Sequence, residues 1–119
     1  MAMERALNFS LKVILPCGTR FGRGKAELMH AIDRLGSISA AAKHMGMSYP
    51  RASRLTGEIN TMFSSQIIET HQGGANKGGA RLTKNGHAIL NSYLKWSTDI
   101  SENSRQLTAV FLNPTEGNP

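Results

Sequence analysis

Arg51 and Arg54 stand three residues apart, directly after Ser48, Tyr49 and Pro50. A guanidinium offers a planar fork of N–H donors, which matches the paired acceptors of a guanine edge or the oxygens of a phosphate. Arg20, Arg23 and Lys25 are interleaved with Gly18, Gly22 and Gly24, and Lys77 and Arg81 lie in and just beyond the run QGGANKGG. Ser39, Lys43, Ser48, Tyr49 and Ser53 complete the candidate contact set. The chemistry these residue types share is the capture of oxyanions and base edges, not the making or breaking of bonds. The groups that would suggest catalysis are scattered. His30, His44, His71 and His87 fall on four separate segments without metal-ligand spacing, and Cys17 has no local partner. No catalytic set, metal site or cofactor is expected, and the chain does not read as an enzyme.

One motif could point elsewhere. The glycines at 18, 22 and 24 followed by Lys25, between a strand pattern and a helix pattern, resemble a phosphate-binding loop. The match fails in detail: five residues separate Gly18 from Gly24 where four are needed, and Ala26 stands where a magnesium-binding hydroxyl belongs. Arg20, Arg23 and Lys25 are better read as phosphate contacts of a basic loop.

The residues that must present Arg51 and Arg54 run from Gly36 to Leu55, GSISAAAKHMGMSYPRASRL. Ile38, Ala41, Ala42 and Met45 recur at i, i+3, i+4 and i+7, which predicts a short amphipathic helix. Gly46 ends it, since glycine accepts the left-handed conformation of a helix C-terminus. Ser48 can cap a second helix and Pro50 suits its first turn. That helix, over about 48–63, carries Ala52, Leu55, Ile59 and Met62 inward and leaves Tyr49, Arg51, Ser53, Arg54 and Glu58 to its flanks and outer face. Two short helices with a glycine turn form a helix-turn-helix, whose second helix enters the major groove of DNA. The plainer reading is a solvated basic face on an ordinary helix.

Residues 67–71, Ile-Ile-Glu-Thr-His, and the return segment Ala80-Arg81-Leu82 predict a β-hairpin around QGGANKGG. Placed after a helix-turn-helix, such a hairpin is a wing. Its glycines let backbone N–H groups approach phosphates, while Lys77 and Arg81 supply charge. The alternative is a surface hairpin without a role. Upstream, Phe9, Leu11, Val13 and Leu15 alternate with Ser10, Lys12 and Ile14, an early strand ending at Pro16, and Leu28, Met29, Ile32 and Leu35 predict a helix from Lys25 closed by Gly36.

Composition agrees with an anionic polymer or surface as partner. The 119 residues suffice for one domain with a modest core. Fourteen Lys and Arg against eight acids give a net charge of +6, and residues 12–84 alone hold 11 basic and 4 acidic side chains, a local net of +7. No apolar run approaches the roughly 20 residues of a membrane span. The N-terminus lacks the apolar stretch of a signal peptide, being interrupted by Asn8, Ser10 and Lys12, and the single cysteine permits no internal disulfide. A cytoplasmic protein is expected.

From about Thr83 to Leu107 the pattern predicts the longest helix, capped by Thr83, with Leu90, Tyr93, Ser97, Ile100 and Leu107 along one face and Ile89 and Trp96 beside it. A domain of this size does not easily cover both this stripe and its core, so the helix is expected to pair with a second copy. The alternative is that it folds back on its own domain, because Asn103 and Ser104 weaken the far end of the seam. Residues 1–112 thus read as one DNA-binding domain including a dimerisation helix at about 83–107, and 113–119 as a disordered tail.

GSISAAAKHMGMSY, a recognition helix, and then IETHQGGANKGGARLTKNG resemble the winged helix-turn-helix domain of the molybdate-responsive ModE regulators, a relative of the LysR-type DNA-binding domain. The resemblance covers about residues 7–105. It implies a mainly α fold with a small β-hairpin, and a homodimeric transcription factor that binds double-stranded DNA, with the recognition helix in the major groove and the wing on the flanking backbone. Pro50 stands where the family commonly has arginine or lysine, and Ser53 where it commonly has an aromatic. The family's molybdate sensor follows the DNA-binding domain in full-length members; the chain ends at Pro119, so no sensor and no tight molybdate binding are expected. The competing function is a winged-helix RNA-binding or protein-docking module.

Overall fold

Gly36 and Gly46 both adopt left-handed backbone conformations, φ 83° and 70°, and each ends a helix. In the computed structural model of the protein, which describes residues 7–72 and 78–113, these two turns set the helical core. Helix α1 spans Arg23–Leu35, α2 Ile38–Met45 and α3 Tyr49–Met62. Gly36 N–H donates to the Ile32 carbonyl at 2.8 Å, closing α1. One residue later Ser37 opens α2, its hydroxyl accepting from Ala40 N–H at 3.0 Å. Ser48 does the same for α3, accepting from Arg51 N–H at 3.2 Å, with Pro50 in the first turn.

Two short antiparallel sheets flank the helices. Val13–Ile14 (β1) pairs with Arg20–Phe21 (β2), and Ile68–Gln72 (β3) pairs with Gly78–Leu82 (β4), in a register that sets Ile68 opposite Leu82 and Thr70 opposite Ala80. The predicted strand from Phe9 to Pro16 is therefore corrected to two residues of a small hairpin. Its partner Arg20–Phe21 falls where the glycine spacing predicts a loop. That loop reading is corrected too. Gly22 is the extended residue before α1, its carbonyl accepting from Ala26 N–H at 3.0 Å, so Arg23 and Lys25 lie in the first turn of a helix.

The last segment also differs from its expected extent. Helix α4, Lys84–Asn103, stops where a separate helix α5, Arg105–Leu112, begins. The predicted continuous helix to Leu107 is broken at Ser104, whose carbonyl accepts from the N–H groups of Leu107 and Thr108. Asn and Ser side chains compete with helical hydrogen bonds, which accounts for a break at Asn103-Ser104. Thr83 caps α4 as predicted, accepting from Gly86 N–H at 3.0 Å.

The core joins one face of every helix except α5. Leu28, Met29 and Ile32 of α1 meet Ala41 and Ala42 of α2, Ala52, Ile59 and Met62 of α3, Ile67 and Ile68, Ala80 and Leu82 of the second hairpin, and Leu90 and Tyr93 of α4. The alanines of α2 let its backbone approach α1 and α3 closely, where larger side chains would hold the helices apart. Leu35, assigned to the buried stripe of α1 by its spacing, is 47% exposed because Gly36 turns the chain away directly after it. Phe21 packs edge-on against Phe63 and Tyr93, with ring centroids 6.1 Å and 5.4 Å apart. Tyr93 Oη also donates to the Leu11 carbonyl at 2.6 Å, which fastens the N-terminal segment to α4. Among the described residues no helix is long and apolar enough to cross a membrane.

Candidate nucleic-acid interface

Helix α3 turns Ala52, Ile59 and Met62 inward and leaves Tyr49, Arg51 and Arg54 in solvent, Tyr49 being 53% exposed. Arg51 occupies the first turn, where the helix dipole favours an approaching anion, and no carboxylate among the described residues is within ion-pair distance of it. Arg54 is differently placed. Its Nε lies 3.9 Å from Glu58 one turn on, and Glu58 also faces Lys25 of α1 at 3.8 Å. Ser53 is half-buried at the flank, and the Ser48 hydroxyl is engaged as the helix cap. On α2, Ser39 and Lys43 are exposed. The helix-turn-helix thus presents Ser39, Lys43, Tyr49, Arg51 and Arg54 on accessible surface.

Hydrogen bonds at three places hold the second hairpin, the wing, against its neighbours. Asn60 of α3 accepts through Oδ1 from Ile67 N–H at 3.0 Å and Ile68 N–H at 2.8 Å, and donates through Nδ2 to the Ile68 carbonyl at 2.9 Å. Thr83 donates to the carbonyl of Gln66 at 2.7 Å. On the other strand, Ala80 N–H donates to the carbonyl of Gly36 in the turn between α1 and α2, at 2.9 Å. The wing is therefore tied to the start of α2, the end of α3 and the start of α4. Arg81 on β4 is exposed and pairs across the hairpin with Glu69 at 3.1 Å. Lys77 and the loop around it lie outside the described residues, as does the tail from 114.

The remaining candidates lie on β2 and the first turn of α1. Arg20 is exposed on β2; Arg23 is exposed and bonded to Glu27 at 2.9 Å, an interaction that raises its pKa, first through the hydrogen bond and then through the carboxylate charge. Of the histidines, His30 and His44 line an open cleft between α1 and α2, His71 sits against Gly79, and His87 faces Asp33 at 3.5 Å. Cys17 is exposed in the turn between β1 and β2. Among the described residues no group of three or more His, Cys, Asp or Glu is arranged to hold a metal.

The face predicted for dimerisation divides in the structure. Leu90 and Tyr93 are buried, 3% and 5% exposed, in the domain's own core, so they are corrected from the outer face to the inner one. Trp96, Ile100 and Leu107 remain exposed, Ser97 is half-buried, and Leu94, Val110 and Phe111 join them on accessible surface. Periodicity grouped these residues, but α1 and β4 pack on the near side of α4, where Phe21 also meets Tyr93.

Sequence reading missed Glu58 and Asn60 as site residues. Arg54 and Glu58 carried a signal, an opposite-charge pair at i, i+4 on a predicted helix. The reach of Glu58 to Lys25 and of Asn60 to Ile68 carried none.

Comparison with known proteins agrees with this architecture. Residues 25–87 match the family described as "Bacterial regulatory helix-turn-helix protein, lysR family". The chain is 35% identical over 87 residues to the molybdenum-pterin-binding protein MopA of Rhodobacter capsulatus, covering 73% of this chain and 33% of that protein. It is 35% identical over 69 residues to the DNA-binding transcriptional dual regulator ModE of Escherichia coli K12, covering 58% of this chain and 26% of that one. The chain thus spans about a third or less of the length of these relatives. Among solved structures it resembles the crystal structure of the CbnR_DBD-DNA complex, with a TM-score of 0.56 and 23% identity over 71% of this chain and 94% of that one. That likeness shows the fold.

Proposed function

The chain belongs to the lysR family of bacterial regulatory helix-turn-helix proteins, and on that premise we propose that it is a sequence-specific, double-stranded-DNA-binding transcriptional regulator. Helix α3 enters the major groove, with Arg51 and Arg54 reading base edges and Tyr49, Ser39 and Lys43 contacting the flanking backbone. The wing, with Arg81 on β4 and Lys77 in its loop, lies on the adjacent phosphates; Arg20, Arg23 and Lys25 extend the positive surface. The observation that carries this reading is Arg51: exposed, in the first turn of a capped helix, and without an acid partner among the described residues. A guanidinium so placed is available to an incoming anion at no cost in broken ion pairs.

The same reading gives α4 and α5 a partner. Trp96, Ile100, Leu107, Val110 and Phe111 are all at least 38% exposed, an apolar surface suited to a second copy of the chain. A symmetric pair would present two α3 helices to half-sites about 34 Å apart, one turn of DNA. The unit that binds is residues 1–112, with 113–119 as a tail beyond it.

The test is selection of bound duplexes from a random library at stated salt, followed by titration of the recovered duplex. Recovery of a consensus with a repeated half-site, and affinity that falls steeply with salt, supports the reading. Recovery of no consensus, with salt-independent binding, overturns it.

A further inference from the structure

Glu58 is the acid shared by two cations of the proposed interface. From α3 its Oε2 lies 3.9 Å from Arg54 Nε, and its Oε1 lies 3.8 Å from Lys25 Nζ on α1. The carboxylate side chain is 50% exposed, Arg54 63% and Lys25 23%. Spacing puts Arg51, Arg54 and Glu58, at i, i+3 and i+7, along one strip of the helix. Along that strip the character changes: Arg51 has no carboxylate beside it among the described residues, whereas one turn on Arg54 is held by an acid, and that acid is held in turn by a lysine from another helix.

We propose that Glu58 is a specificity-determining residue, which keeps Arg54 and Lys25 in an internal ion triad and thereby penalises DNA that lacks the right base beside Arg54. The inference rests on the DNA-binding reading above. Every duplex presents phosphates, and a phosphate approaching Arg54 or Lys25 must displace a carboxylate already seated there and stand against its negative charge. On a matching site the fork of Arg54 gains a bidentate hydrogen bond to a base edge, which replaces the pair it gives up. On a mismatched site the ion pair is broken and nothing replaces it. Glu58 therefore weakens binding to all DNA and weakens it most where the sequence is wrong, which is how a repulsive group widens a difference between partners. Lys25 extends the effect, because a phosphate drawn to either cation must stand against the same carboxylate.

The experiment compares the full chain with Glu58→Gln and Asp33→Asn by fluorescence anisotropy. The two probes are the duplex recovered by library selection and a shuffled duplex of the same composition, each over a range of salt. Asp33 faces His87 of α4 and is no member of the triad, so Asp33→Asn makes the same change in net charge outside it. Glu58→Gln is expected to bind the shuffled duplex about three- to ten-fold more tightly, as release of exposed ion pairs implies. Its preference for the selected duplex should fall by a similar factor. Its salt dependence on the shuffled duplex should steepen by about 0.9 for each cation freed to a phosphate. Asp33→Asn should leave the preference unchanged. Equal shifts on both duplexes for Glu58→Gln, or the same loss of preference in Asp33→Asn, overturns the proposal. A wild-type chain that binds neither duplex overturns the DNA-binding reading itself and the proposal with it.

Discussion

Asn60 holds Ile68 by both polar groups of its backbone, accepting from its N–H at 2.8 Å and donating to its carbonyl at 2.9 Å. One side chain on the last turns of α3 thereby serves both backbone groups of the first residue of β3, whose carbonyl also accepts from Gln66 Nε2 at 3.3 Å, and fixes the base of the wing against the helix that carries Arg51 and Arg54. Asn60→Ala leaves those groups, and the Ile67 N–H at 3.0 Å, without this partner. The expected loss is about 1–3 kcal/mol of folding stability, the usual cost of orphaning partly buried backbone groups. Urea unfolding with an unchanged slope and a lower midpoint checks it; a midpoint equal to the wild type's would mean that water replaces the amide fully.

Two glycines in helices should respond oppositely to alanine. At Gly86 of α4 an added Cβ would lie 2.3 Å from the Ile67 carbonyl oxygen and 3.2 Å from Leu82 Cβ, whereas at Gly57 of α3 it would meet nothing within 4 Å. Gly57→Ala is expected to stabilise by about 0.5–1 kcal/mol through helix propensity. Gly86→Ala should destabilise by on the order of 3 kcal/mol, because the clash with fixed backbone outweighs that gain. Thermal melts of the two variants should move in opposite directions.

Arg51 and Arg81 should differ in kind on DNA. Arg51→Ala is expected to cost about 1–3 kcal/mol on the selected duplex and much less on a shuffled one, as loss of a base contact does. Arg81→Ala should weaken both duplexes alike and reduce the salt slope by about 0.9, as loss of one phosphate contact does. Titrations at several salt concentrations separate the two patterns.

The α4–α5 surface should mediate self-association through its outer side alone. Trp96→Glu, at a side chain 51% exposed, is expected to shift the chain from dimer to monomer in sedimentation velocity while keeping its helix content. Tyr93→Phe removes the hydroxyl that donates to the Leu11 carbonyl; it should cost about 1 kcal/mol of stability and leave the sedimentation coefficient alone.

Cys17 should be the reactive thiol of this chain. Its Sγ lies 3.0 Å from the Thr19 hydroxyl, and hydrogen bonding from the side chain and then the backbone of Thr19 holds its pKa below the ordinary thiol value. Removing the hydroxyl by Thr19→Val should therefore raise the thiol pKa and slow alkylation by iodoacetamide at mildly alkaline pH. A pH–rate profile with an unmoved midpoint would show that the Thr19 hydroxyl does not set it.

Punctuation of the chain was legible without a structure wherever it depends on chemistry between near neighbours. Gly36 and Gly46 end helices because they take a left-handed backbone at little cost, and Ser48 and Thr83 begin them because a hydroxyl three residues upstream reaches a free N–H. The period of apolar residues likewise placed Ala41, Ala42, Ala52, Ile59 and Met62 on inner faces, and turn chemistry placed the second hairpin. The break between α4 and α5 also falls at polar residues, Asn103 and Ser104, but the apolar period carried the expected helix through them to Leu107.

Tertiary structure decided everything that depends on which partner arrives. Periodicity gave Leu90, Tyr93, Ile100 and Leu107 one stripe, yet α1 and β4 pack on α4, and Leu11 and Phe21 meet Tyr93, so that the first two are buried and the others stay outside. The strand expected across Phe9 to Pro16 shortened to Val13–Ile14 because a strand extends only as far as its partner, here Arg20–Phe21. Arg54 meets Glu58 through the local i, i+4 spacing of α3, but only the packing of α1 against α3 brings Lys25 to the same carboxylate, while Arg51 has no acid beside it among the described residues. Sequence fixes the residue types and the local turns they favour, since those energies act over three or four positions. Which charges meet, and which apolar faces stay open, depends on contacts between segments far apart along the chain, and only the folded arrangement brings those segments together.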